Sequence, residues 1–145
     1  MIFLRPRLAL VLLASLTLAA CSHEGAAKTP DPASLLQAIP AADSAKYEHM
    51  QDMRNWRNPY FIVRADTIVL LDAADNAEIH LKPEEVLPAL AQLPASNWPY
   101  GRVVAVAENS VRGSEEDGVA IRRNKGILGG LLDGAHIAIR WVPAT

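Results

Sequence analysis

A chain of 145 residues, half of them apolar and about a fifth charged, has the composition of an ordinary globular domain and not of a disordered or fibrous chain. Its fourteen basic residues are outnumbered by sixteen acidic ones, which argues against nucleic-acid binding, because that needs a clustered positive surface to neutralise phosphates. The single cysteine, Cys21, excludes a disulfide framework, so a fold must stand on its core alone.

The chain opens with Arg5 and Arg7, an apolar run of eleven residues from Leu8 to Leu18, and Ala19-Ala20 just before Cys21. This is the layout of a secretory signal. A run of eleven is too short to cross a hydrocarbon core as a helix, which takes about 20 residues. The tetrapeptide Leu18-Ala19-Ala20-Cys21 resembles the lipobox of bacterial lipoproteins: an aliphatic residue, two small residues, then cysteine. The resemblance implies cleavage after Ala20, a diacylglyceryl thioether on Cys21, and N-acylation of the same residue, with palmitate among the expected chains. One acyl chain gives only marginal membrane binding, at about 0.8 kcal/mol per buried methylene, whereas two or three on one residue anchor permanently. The residue after Cys21 is Ser22 and not Asp, which in the sorting pattern this resembles implies the periplasmic face of the outer membrane. Loss of residues 1–20 removes Arg5 and Arg7, leaving twelve basic against sixteen acidic residues and a formal charge of −4.

Residues 21–42 are rich in Ala, Pro, Ser, Lys and Asp, with prolines at 30, 32 and 40. A continuous helix is disfavoured there, and the stretch reads as a flexible tether. Residues 43–145 then form one periplasmic domain of about 100 residues, enough for a single core. Within it, Asp43 to Arg57 reads as a helix capped by Ser44, with Tyr47, Met50 and Met53 facing the core. Asn58-Pro59 ends it.

Tyr60–Arg64 and Thr67–Asp72 are β-branched and aromatic runs about the Ala65-Asp66 turn, and Glu78–Leu81 follows as a third strand. Pro83 opens a helix to about Leu93, with Glu84 and Glu85 in its first turn and Pro88 as a site for a kink. Arg102–Glu108 is a near-continuous apolar run, as for a strand buried on both faces. Ser114, followed by Glu115, Glu116 and Asp117, marks a helix start; Leu128, Leu131 and Leu132 give it an apolar face, and Asp133-Gly134 stops it. Glycines 126, 129 and 130 each weaken a helix by about 1 kcal/mol relative to alanine, and close packing against the sheet is their expected reason. In Ala135–Val142, Ile137, Ile139 and Trp141 alternate with smaller or polar residues, the period of a half-buried strand. The expected fold is α+β: a small, mostly antiparallel sheet of about five strands with two or three helices on one face. Val104, Val106, Leu128, Ile137 and Ile139 are its expected core.

Chemistry-bearing patterns are sparse. No two of His23, His49, His80 and His136 have metal-ligand spacing, and neither the Ser elbow, the phosphate loop nor the HExxH motif occurs. Asp66, Asp72, Asp75 and Glu78 crowd two turns, but DAADNAE does not follow the ligand alternation of an EF-hand loop, so they read as solvated turn carboxylates. No metal, cofactor or catalytic residue is expected. The candidate interaction residues are the Trp, Pro and Tyr patches NWRNPY and NWPY, with Trp56, Tyr60, Trp98 and Tyr100, and the basic pair Arg122 and Arg123. The stretch PYGRVVAV, residues 99–106, is similar to a piece of the periplasmic domain of ExbD/TolR transport proteins, another small α+β domain, although the strand and Asp that precede it there are missing here. That short similarity carries no function over.

The sequence therefore leads to a non-enzymatic, membrane-anchored envelope lipoprotein. Its partners are expected to be the membrane, through the acyl chains on Cys21, and an envelope protein or peptidoglycan. The alternative is a small-ligand-binding or transport-accessory domain, which a sizeable apolar pocket would favour.

Overall fold

The computed structural model describes residues 28–109 and 113–143, so the signal segment, the lipobox and Cys21 lie outside the described residues. The elements in chain order are helix α1 (Pro32–Leu36), strands β1 (Tyr60–Val63), β2 (Ile68–Leu71) and β3 (Glu78–Leu81), helix α2 (Pro83–Ala91), strand β4 (Val103–Glu108), helix α3 (Glu115–Gly134) and strand β5 (Ala138–Val142). All five strands join one sheet in the order β3-β2-β1-β4-β5. The fold is α+β.

The first three strands form the expected meander, antiparallel throughout, with Tyr60 opposite Leu71 and Leu70 opposite Ile79. Its first turn is closed by the Arg64 N–H donating to the Thr67 carbonyl at 3.0 Å. The sheet as a whole is mixed, which corrects the expectation of a mostly antiparallel one: β4 runs parallel to both β1 and β5. The cause is connection. Helices α2 and α3 each carry the chain back to the end of the sheet where the preceding strand began, so the following strand starts there too. Burial of Val103, Val104, Ala105 and Val106 on both faces of β4 is the corresponding mark of an interior parallel strand.

Helix α3 starts as its sequence dictates. The Ser114 hydroxyl accepts from the Asp117 N–H at 3.1 Å, and the Asp117 carboxylate accepts from the Ser114 N–H at 2.8 Å, so two otherwise orphaned donors are satisfied reciprocally. In α2 the Glu85 carboxylate accepts from the Lys82 N–H at 2.7 Å. Pro88 sits inside α2 without ending it.

Helices cover one face of the sheet. There Phe61, Val63, Ile68, Leu70, Val104, Val106 and Ile137 pack against Leu36, Val86, Leu90, Leu128 and Leu132. Each large side chain so buried contributes about 1.5–3 kcal/mol relative to exposure. Ile139 is only partly buried, because β5 is an edge strand. Beyond it Trp141 is 46% exposed, with the Lys125 ammonium 4.5 Å from its ring centre.

Three further expectations fail. Residues 31–42 do not form a free tether: Leu36 is fully buried, Ala33 and Ile39 pack on the core, the Gln37 side chain donates to the Ala135 carbonyl at 2.9 Å, and the Arg102 N–H donates to the Pro40 carbonyl at 2.8 Å. The folded domain therefore includes residues 31–42, ahead of the expected start at Asp43. The prolines permit this because Pro32 stands in the first turn of α1, where its missing N–H costs nothing, and Pro40 follows the helix end. Residues 43–57 are not one helix either, but single 3-10 turns at Ser44–Lys46 and Met53–Asn55 joined by irregular chain. The Asp52 carboxylate accepts from the Arg54 N–H at 3.0 Å, a local bond that competes with helix continuation. Lastly, glycines 126, 129 and 130 do not pack against the sheet, since a Cβ at any of them would meet nothing within 4 Å.

Candidate functional site

Strand residues alternate between faces, so Tyr60 and Ile62 point away from the helix-covered core that holds Phe61 and Val63. On this second face Val69, Val103 and Ala105 are fully buried, while Tyr60, Ile62 and Leu71 are half-buried. No helix lies here. The irregular segment 43–57 crosses the face as a strap, fixed at several points.

Asn58 holds its carboxyl-terminal end. Only 5% exposed, its Nδ2 donates to the carbonyls of Gly101 at 2.7 Å and Val103 at 2.8 Å, and its Oδ1 accepts from the Tyr100 N–H at 3.0 Å. The Arg140 guanidinium, reaching from β5, donates to the Met50 carbonyl at 2.5 Å. Tyr47 meets Trp56 edge-on, with ring centres 5.8 Å apart, and Trp56 meets Tyr100 at 5.2 Å; such pairs each contribute about 0.5–1.5 kcal/mol beyond burial. The Trp56 indole donates to the Pro59 carbonyl at 3.2 Å, and the Tyr100 hydroxyl to the Asn55 carbonyl at 3.2 Å. Gly101 lets the chain pass this closely. It has φ of +76°, and a Cβ there would lie 2.2 Å from the Ala41 carbonyl oxygen, a position only glycine accepts without strain.

A cleft opens on each side of the strap. The larger, of about 740 Å³, is lined by Trp56, Arg57, Tyr60, Ile62, Leu71 and Asn97 among others. The smaller, of about 600 Å³, lies toward Arg64, Ala107 and Val142, and the two share Met53, Arg54, Tyr60 and Ile62 as a common wall. Both volumes fall within the range of ligand-binding sites.

Most charges around these clefts are matched. Arg54 pairs with Asp52 at 2.8 Å, and that hydrogen bond holds the Asp52 carboxyl below its ordinary range. Arg64 grips Glu78 with two bonds, of 2.6 and 2.8 Å, which lower the Glu78 carboxyl in the same way. Glu108 pairs with Lys125, and the Asp72 Oδ1 accepts from the Ala74 N–H at 2.7 Å, capping its own turn. Burial pushes the Tyr60 hydroxyl above its usual range. Arg57, exposed on the rim of the larger cleft, has no ion-pair partner among the described residues.

Of the residues singled out in the sequence, the strap brings Trp56, Tyr60 and Tyr100 together. Trp98 does not join them: it is 4% exposed and belongs to the core on the helix side, because its place just after α2 turns it inward. Arg122 and Arg123 stand exposed on α3, across the sheet from the strap. The six therefore do not form one surface. The turn carboxylates do not converge either, since Asp72 and Asp75 each cap a local N–H and Glu78 turns to Arg64. Among the described residues no group of three His, Cys, Asp or Glu is placed to hold a metal ion. Arg57, Ile62 and Leu71 were missed as cleft residues. Arg57 lies inside the NWRNPY patch and had a signal; Ile62 and Leu71 read only as strand.

Compared with known protein families, with curated proteins and with solved structures, the chain finds no match in any of the three. No helix among the described residues is long and apolar enough to cross a membrane.

Proposed function

We propose that this chain is a lipid-anchored envelope protein whose domain is a non-enzymatic interaction module, recognising another envelope component through the strapped face of its sheet. The observation that carries the reading is the pair of clefts on either side of the strap, with a half-buried apolar floor at Ile62 and Leu71 and an aromatic wall at Trp56 and Tyr60. Aromatic anchors beside an arginine are the residue types that dominate binding energy at interfaces. The non-enzymatic part rests on the sequence, which carries no recognised catalytic motif. The anchor is read from Leu18-Ala19-Ala20-Cys21, and two or three acyl chains there leave the domain free to use its cleft face for a partner.

The test separates the partner from the anchor. A lipid-free chain starting at Ser22 is mixed with isolated cell envelopes and sedimented. It is expected to sediment with envelopes but not with protein-free vesicles, and Arg57→Glu is expected to abolish this while Arg123→Glu leaves it intact. A chain that sediments only when acylated overturns the proposal. The cleft volume also suits the small-ligand reading, for which binding would survive on a soluble extract freed of envelope protein and cell wall.

A further inference from the structure

We infer that the larger cleft takes a short acidic peptide segment, with a Glu or Asp side chain set against Arg57 and its backbone held by the amide side chains of the rim. The inference rests on the reading of the strapped face as a binding site, and it adds the chemistry of what binds.

Charge is the first argument. The protein is acidic overall, yet the larger cleft is lined by Arg54 and Arg57 against one acidic side chain, Asp72. Arg54 is spent on Asp52, and Asp72 is turned to the Ala74 N–H. That leaves Arg57 as the uncommitted charge on the rim, and a guanidinium presents a planar fork of donors suited to a carboxylate. A cationic ligand would face Arg57 with only the turn-bound Asp72 carboxylate to offset it.

Unspent hydrogen bonding is the second. Ser96, Asn97 and Asn76 line the same cleft, and their side chains make no hydrogen bond to the described residues. Each Asn offers two donors and an acceptor, the complement of a peptide group and of little use to an acyl chain. Between them lies the apolar floor of Ile62 and Leu71 beside Met53, which accepts the non-acidic side chains. An extended segment presents successive side chains in opposite directions, so alternating acidic and apolar residues match a floor of one kind and a rim of the other.

The test uses the full-length protein in detergent and fluorescence polarisation of labelled hexapeptides. The probe is Leu-Glu-Leu-Glu-Leu-Glu with an amidated carboxyl terminus. Comparison peptides replace Glu by Lys, or by Gln with a free carboxyl terminus. The acidic probe is expected to bind about tenfold more tightly than either, more weakly as salt rises. Arg57→Glu is expected to weaken it about tenfold, Asp72→Asn to strengthen it by relieving a like charge while keeping the turn bond, and Arg123→Glu to change nothing. Equal binding of the Lys peptide, an unaffected Arg57→Glu variant, or binding of the Gln peptide as tight as the acidic one each overturns the inference. If Arg57 governs sedimentation with envelopes but not peptide binding, the acidic-peptide assignment alone falls. If Arg57 governs neither, the proposed site falls with it.

Discussion

Replacing Leu36 by alanine tests whether residues 31–42 belong to the folded domain. Leu36 is fully buried and packs in the cluster that holds Val86, Leu90 and Trp98, although it stands on a helix of only five residues. Truncating a buried leucine costs about 2–5 kcal/mol, the transfer term of the lost methyl groups plus the cavity they leave. With a urea dependence of about 2 kcal/mol per molar, the midpoint should fall by about 1–2.5 M at an unchanged slope. Leu35 is the internal control: it is 47% exposed, and its alanine variant should cost less than about 1 kcal/mol. Equal losses at the two positions would mean that α1 is not held on the core in solution.

Three further outcomes follow from particular contacts. Asn58→Ala leaves the carbonyls of Gly101 and Val103 and the N–H of Tyr100 without their partner, and should destabilise by about 2–4 kcal/mol in the same urea assay, given about 1–3 kcal/mol for each buried polar group left unmade. Gly126→Ala and Gly130→Ala, where a Cβ meets nothing within 4 Å, should each raise stability by about 0.5–1 kcal/mol; a loss would place an unseen neighbour against α3. Cys21→Ser should abolish incorporation of labelled fatty acid, and label that persists on the variant would remove the anchor.

Local signals carried most of the fold. The three-strand meander, the start of α2 at Pro83 and the start of α3 after Ser114 were each legible because turn and cap residues act on their immediate neighbours. What escaped depends on contacts distant in sequence. Nothing in Tyr47, Met50 and Met53, spaced like one helical face, shows that they would be drawn across a sheet, for the Asn58 and Arg140 bonds that hold the strap reach to residues more than forty positions away. Likewise Leu36 looked like one apolar residue in a proline-rich stretch until α2 supplied the surface it packs on. The parallel pairing of β4 did have a signal, the unbroken apolar run, but strand partners depend on the crossover helices and not on the run itself. The site was half legible for the same reason: Trp56 and Tyr60 stood out by composition, whereas their separation from Trp98, Arg122 and Arg123 is a matter of which side of the sheet each faces.

Cross-linking in living cells tests whether the strapped face is the surface that meets the proposed partner. A photoreactive amino acid is placed at position 57 on the rim of the larger cleft, and in a second strain at position 123 on α3. A discrete adduct is expected from position 57 that position 123 does not give. Adducts of equal yield from both positions, or from position 123 alone, would contradict it.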